Sequence, residues 1–343
     1  MVMNTGRRLP RNTAWKSDRL PEEANARIGC AEVSVEGVIR KVPCAKINGR
    51  AVIVTGKRLK VASIRDEEWL DGDILPTPEE FIGELLRQKA LGADLFTFSQ
   101  KLTDVTPHFP FYHEWDSVAV IPIVSFSDWW NKRVSSFLRK DVRKAAKLGV
   151  VVRPFSLTNQ HVRAIVSIYD ETPIRQGRPF WHYGKGFEAV KLDNATYLDR
   201  SEFLGAFLGD EMIGFLKIVY VDRVARLMQI LAKDAHRDKR PINALLAKAV
   251  ELCETKGCSH LIYGKYRYSR GPDSSLTQFK HRNGFQEIWV PKYYLALTLK
   301  GKLALRLHLH HGAKALVPPA MRRLLKNFRE FIYSRERVVR NLG

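Results

Sequence analysis

One stretch limits the possible folds more than any other. From Glu202 to Asp234 the chain forms three runs of alternating apolar residues, broken at Gly209-Asp210 and Asp222-Arg223. A period of two with short polar turns predicts three consecutive antiparallel strands. A helix follows over PINALLAKAVELCETKG, with Pro241 where a first-turn N–H has no partner to lose and Gly257 as the stop. CSHLIYGKY then predicts a strand, DSSLTQFKHRNG a short helix and FQEIWVPKYYLAL a last strand. Strands and helices in this order require a layered α/β domain with a mixed sheet.

The chain before it has a related pattern. EVSVEGVIRKVPCAKINGRAVIVTGKRLKVASIRD reads as three or four short strands with Gly and Asn turns. TPEEFIGELLRQKALG predicts a helix, with Thr77 and Glu80 as a capping box around Pro78 and Gly92 as the stop. ADLFTFSQ and DSVAVIPIV add strands and complete a first α/β lobe over 31–126. SDWWNKRVSSFLRKDVRKAAKLGV predicts one connecting helix over 127–149, capped by Ser127 or Asp128 and stopped by Gly149. Val134, Phe137, Leu138, Val142 and Ala145 form its apolar side, and Arg139, Lys140, Arg143, Lys144 and Lys147 a basic face. That face is either a solvated connector or a phosphate contact. The second lobe spans 150–299 and opens with a helix over LTNQHVRAIVSIYDET.

The ends are basic. Residues 1–30 are polar with no apolar core, so they predict a disordered tail rather than a secretory signal. Residues 300–343 predict a basic helical extension. Within PPAMRRLLKNFREFIY, Met321, Leu324, Leu325, Phe328, Phe331 and Ile332 recur at helical spacing. This amphipathic helix either docks on the second lobe or attaches to an anionic surface.

With 57 Lys and Arg against 36 Asp and Glu, the 343-residue chain has a formal charge of +21. A field of that sign implies a polyanionic partner: nucleic acid, an anionic membrane surface, or a substrate carrying several phosphates. No run of apolar residues is long enough to cross a bilayer. Cys30, Cys44, Cys253 and Cys258 have neither zinc-knuckle nor disulfide-framework spacing, which points to a reducing, cytoplasmic compartment. No Walker loop, G-x-S-x-G elbow or dinucleotide fingerprint follows a suitable strand.

The order of elements from Glu202 to Leu297, with Ile213-Gly214-Phe215 closing a hairpin and Asn283-Gly284-Phe285 closing a helix, resembles the acetyl-CoA-binding half of the GNAT superfamily. In that family an R-x-x-G-x-G/A turn and a helix N-terminus cradle the donor's pyrophosphate with backbone N–H groups. The corresponding run here is RDKRPINALL, which has Arg240 and Ile242 at the two glycine positions. The resemblance implies acyl-CoA, acetyl-CoA by default, as donor, with Arg237, Lys239, Arg240 and Asn243 at its phosphates. Phe279-Lys280 through Gly284-Phe285 resembles the F-K-x-x-x-G-F signature of the Fem-type peptidyltransferases, tandem GNAT-fold proteins that take acyl groups from aminoacyl-tRNA. The basic stretch at 139–149 resembles the opening of the second Fem lobe. Together these imply two tandem GNAT-like lobes and assign Lys280 to stabilising an oxyanion. The alternative for Lys280 is an exposed lysine on a short helix.

The loop at 171–184 collects a carboxylate, two arginines, an imidazole and several rings. Glu171 or His182 can act as the base for an attacking amine. Arg175, Arg178, Trp181 and Tyr183 are candidates for holding an anionic substrate. His308, His310 and His311 have metal-ligating chemistry, but no carboxylate or thiol is near them in the chain, so no metal is expected. Three readings remain open. They are an acyl-CoA-dependent transferase acting on an amine or hydroxyl, an aminoacyl-tRNA-dependent transferase, and a non-catalytic nucleic-acid- or membrane-binding protein on the same scaffold.

Overall fold

The computed structural model describes residues 28–311 apart from 36–37, 73, 76, 103, 176–177 and 268–274. The amphipathic helix expected near 318–333, and residues 1–27 of the expected tail, lie outside the described residues. Gly29 and Cys30 already belong to the first strand.

Four strands open the chain: β1 (Gly29–Val35), β2 (Val38–Ile47), β3 (Arg50–Thr55) and β4 (Val61–Ile64). Helix α1 (Pro78–Arg87) leads to β5 (Leu95–Ser99) and β6 (Tyr112–Pro122). After them come α2 (Phe126–Asp128), a π turn at Trp129–Arg133, and α3 (Ser136–Lys147). Strand β7 (Val150–Phe155) precedes α4 (Asn159–Asp170), the small pair β8 (Ile174–Arg175) and β9 (Arg178–Pro179), and α5 (Phe187–Asn194). The three predicted strands are β10 (Ser201–Leu208), β11 (Glu211–Val221) and β12 (Val224–Ala232). The chain continues through α6 (Pro241–Thr255), β13 (His260–Lys265), α7 (Ser275–Arg282), β14 (Gln286–Ala296) and α8 (Leu299–Arg306).

Twelve strands form one mixed sheet in the order β1-β2-β3-β4-β5-β14-β6-β13-β12-β11-β10-β7. The last strand, β14, inserts between β5 and β6 and pairs antiparallel with both. Strand β6, from the first region, in turn pairs with β13 of the second, with Pro122 opposite His260. The two regions therefore share a continuous sheet. Side chains alternate across it. On β14, Tyr293 packs into the core beneath α1, whereas Val290, Lys292 and Tyr294 face the opposite side. The largest core joins Ala119 and Ile121 of β6 to Leu245, Leu246 and Val250 of α6 and Leu138 of α3.

Four local expectations are corrected. The predicted connecting helix is two pieces. Ser125 caps the first by accepting from the Asp128 N–H at 3.0 Å, and Ser135 caps the second by accepting from the Leu138 N–H at 3.3 Å. Between them the extended, β-branched Val134 donates its N–H to the Trp129 carbonyl and closes the π turn. Trp129 is fully buried and donates its indole N–H to the Asn283 carbonyl at 3.2 Å. Tertiary burial of that ring thus overrides the uninterrupted helical pattern. Within α3, Leu138 and Ala145 are buried, but Phe137 is exposed. At α1, Thr77 makes no side-chain capping hydrogen bond, although Pro78 takes the first helical position. Gly92, at φ 61°, ends a following short turn rather than α1 itself.

Candidate functional site

Strands β12 and β13 are parallel neighbours, yet they pair only over Val224–Arg226 and His260–Ile262. Beyond those three residues they part. The parting coincides with a β-bulge on β12, where Lys217 is opposite Gln229 and Ile218 opposite Leu227, leaving Met228 without a partner on β11. A bulge adds twist and turns a strand away from its neighbour. The residues of β12 beyond it lead to the basic turn and to the N-terminus of α6.

At that N-terminus Arg240 has φ 59° and ψ 39°. An arginine thus adopts the left-handed backbone for which glycine is the usual residue. Pro241 follows it as the first residue of α6. The Arg240 guanidinium pairs with Asp141 of α3 at 3.2 Å, which ties the basic turn to the basic helix. Lys239 is 3.5 Å from its neighbour Asp238, and Arg237 is on the same 3-10 turn, Asp234–Lys239. One turn into α6, the Asn243 amide is 3.5 Å from the side-chain oxygen of Asn283, just past the end of α7.

Lys280 is not a surface lysine; it is fully buried. Its spacing from Leu276 puts both on the inner face of α7. The ammonium donates to the Lys265 carbonyl at the end of β13 and is 5.2 Å from the ring centre of Tyr263. Lys280 therefore stands beside the strand that parts from β12. Gly284 supports this arrangement. Its φ is 75°, and a Cβ there would be 2.9 Å from the Trp129 indole nitrogen.

The 171–184 loop is fastened to β12. Glu171 accepts from the backbone N–H groups of Asp234 and Ala235, the latter at 2.8 Å, and so caps the basic turn. Arg175 donates to the carbonyls of Ala232 at 3.1 Å and Ile168 at 3.2 Å, and its guanidinium covers the Phe180 ring. His182 is buried between the rings of Trp181 and Tyr169, with its Nε2 3.1 Å from the Gln229 amide. Burial, then the charges of Lys185 and Arg175, push His182 well below the ordinary imidazole range, so the ring is neutral. Trp181 carries the Lys185 ammonium over its face at 4.3 Å, and Tyr183 is exposed. Arg178 pairs with Arg175 through the β8–β9 backbone. Glu171, Arg175 and the basic turn are thus joined, and His182 joins them through β12.

The sequence reading missed a second feature. On the face of the sheet opposite α1 and α6 lies a cavity of about 1730 Å³, lined from β2 across to β12. Arg40, Lys57, Arg65, Lys101, Arg226 and Lys265 are among its cations. Gly264 and Lys265 line it too, so the backbone that receives Lys280 borders the cavity. Glu67, partly buried, and Lys292, buried, both line its wall. Burial raises Glu67 to about 7, against the opposing pull of the Lys292 ammonium and a Ser99 hydrogen bond. Burial also lowers Lys292. Glu114 is opposite Lys292 in register. Burial acts to raise it, but hydrogen bonding to His310 and the charge of His311 hold it down, at about 2. Lys292, standing within the largely apolar run WVPKYYLA of β14, was the available signal.

No protein-family model matches the chain, and no curated protein matches it in sequence. Solved structures do match it in three dimensions. FemX aligns with a TM-score of 0.53 at 12% identity, over 81% of this chain and 90% of that one. L-PGS from Bacillus licheniformis aligns with a TM-score of 0.52 at 13% identity, over 79% and 88%. The chain thus shares the fold of FemX and of L-PGS. The C-terminal domain of a putative lysylphosphatidylglycerol synthetase from Agrobacterium fabrum aligns similarly, with a TM-score of 0.51 at 12% identity over 77% and 86%. At these identities the likeness fixes architecture, and it agrees with the mixed α/β class expected from the sequence. No helix among the described residues is long and apolar enough to cross a membrane.

Proposed function

We propose that this protein is a GNAT-type acyltransferase, passing an acyl group from a phosphate-bearing donor to an amine or hydroxyl held in the cation-lined cavity. The observation that carries this reading is the parting of β12 and β13 with the buried Lys280 ammonium beside it. The donor lies along the parting, with its phosphates toward Arg237, Lys239 and Arg240. The acceptor reaches its carbonyl from the cavity, past Gly264 and Lys265. The acceptor's lone pair attacks the carbonyl carbon, and Lys280 offsets the negative charge that develops on oxygen. The bond to the leaving thiolate or ribose hydroxyl then breaks. Glu67, poised near neutral pH in the cavity wall, takes the acceptor's proton in this reading. Glu171 and His182 act here as positioning residues, since one caps the basic turn and the other is neutral and bonded to Gln229.

Acyl-CoA is the first reading for the donor and aminoacyl-tRNA the second. Arg240 and Ile242 favour the second, because close backbone approach to a pyrophosphate ordinarily needs glycine at those positions. Calorimetry with acetyl-CoA and, separately, with aminoacylated tRNA distinguishes them. For the donor that binds, Arg237→Ala with Arg240→Ala should weaken binding by about 1–3 kcal/mol, the scale of charge-assisted hydrogen bonds. If the double variant binds equally well, the basic turn is not the donor's phosphate site; if neither probe binds, the transferase reading fails in favour of a non-catalytic protein on this scaffold.

A further inference from the structure

The three histidines set aside for want of a nearby carboxylate acquire one from the fold. Helix α8 ends at Arg306 with Leu307 as its cap, and His308 then takes φ 52°, a left-handed conformation that turns the chain sharply. The short turn Leu309–His311 follows, closed by the His311 N–H donating to the His308 carbonyl. The turn sets the His310 and His311 rings 4.1 Å apart, with the His308 ring 6.0 and 6.4 Å from them. Beneath them lies β6, 194 residues earlier in the chain by the difference of 308 and 114. Its Glu114 Oε1 is 2.8 Å from His310 Nε2 and 3.0 Å from His311 Nε2, and it also accepts from the Tyr112 hydroxyl at 3.0 Å. One ligand atom from each of Glu114, His308, His310 and His311 falls within 4.8 Å of the others.

We infer that these four side chains form a binding site for a divalent first-row transition ion, with zinc as the best-suited member. Three imidazoles and a carboxylate match its preference for nitrogen and oxygen ligands in a four-coordinate shell. The alternative, a purely hydrogen-bonded cluster, is less satisfactory. His310's side chain is 1% exposed, and its Nδ1 finds no partner among the described residues. Two closely packed imidazoles, tilted by 39° to each other, also share a single carboxylate oxygen. A cation on the imidazole lone pairs satisfies several acceptors at once, and Tyr112 remains to orient the carboxylate from outside. With four protein ligands the site is structural. It fastens the end of α8 to β6 at the rim of the cavity, where His310 and His311 are among the lining residues.

The inference does not depend on the transferase reading and is tested without an activity assay. Full-length protein stripped with a chelator is titrated with ZnCl₂ by calorimetry and with CoCl₂ by visible absorption. The expected result is one equivalent bound, an intense tetrahedral cobalt spectrum, and a raised melting temperature with zinc. Loss of outer-shell partners alone costs about 10–100-fold in affinity, so Glu114→Gln should weaken binding at least that much. His308 is exposed and His311 partly so, which lets His308→Ala and His311→Ala be made without opening the core. Each should weaken zinc binding at least about tenfold while leaving the circular dichroism of the metal-free protein unchanged. Failure of the parent to bind zinc, or zinc binding by both histidine variants as tight as the parent's, overturns the site.

Discussion

Replacing Glu67 with Gln probes the electrostatics of the cavity while keeping its shape. Burial lifts this carboxyl from 4.5 to about 7, with Lys292 and Ser99 pulling the other way and Glu68 adding to the rise. A carboxyl with a raised folded value holds its proton more tightly in the folded chain. Its stabilising contribution is complete below the unfolded value and is lost as pH rises through the folded one. With these two values, the parent loses about 2.5 kcal/mol between roughly pH 5 and pH 8 that a glutamine at this position does not lose. For a chain of this length that is about 4 °C in melting temperature. The assay is a pair of melting curves for parent and Glu67→Gln at each pH. Groups shared by both chains, including Asp66 and Glu114, largely cancel in the difference. The gap should move in the variant's favour as pH rises. A gap that stays level across the range refutes the raised carboxyl and removes Glu67 as a base.

Lys280→Met keeps the length and apolar stem of the side chain but removes the charge. Turnover should fall about a hundredfold or more with donor affinity unchanged, and equal turnover at saturation would reduce Lys280 to a packing residue. Gly284→Ala combines a left-handed backbone with a Cβ only 2.9 Å from the Trp129 indole nitrogen. It should cost about 2–4 kcal/mol, the sum of backbone strain and overpacking, and lower the melting temperature by several degrees. A variant that melts with the parent would show that Trp129 moves aside freely.

Most of the described elements were legible because each follows from local rules: alternation for β10, β11 and β12, and proline and glycine at the ends of α6. What stayed hidden was pairing. The pattern WVPKYYLAL identifies a strand but cannot say that it inserts between β5 and β6, because strand partners are set by packing across the whole chain. The histidines and Glu114 were separated for the same reason, as were Glu67 and Lys292.

Lys280 lies between these cases, since its burial was legible in principle. Leu276, Lys280 and Asn283 recur at spacings of four and three, which puts the lysine on the apolar face of a short helix. Lysine is seldom fully buried unless its ammonium has a fixed partner. Here the partner is a backbone carbonyl at the end of β13, a group that no sequence pattern marks. The sequence reading left an inward and an exposed lysine both open, and the fold identified the strand end that receives it. The same argument applies to Lys217, buried within the apolar run of β11, whose ammonium is held by the carbonyls of Asn194 and Thr196. Burial alone therefore does not single out a catalytic lysine. What separates the two is position: Lys280 borders the parted strands, whereas Lys217 holds the loop after α5 against the sheet.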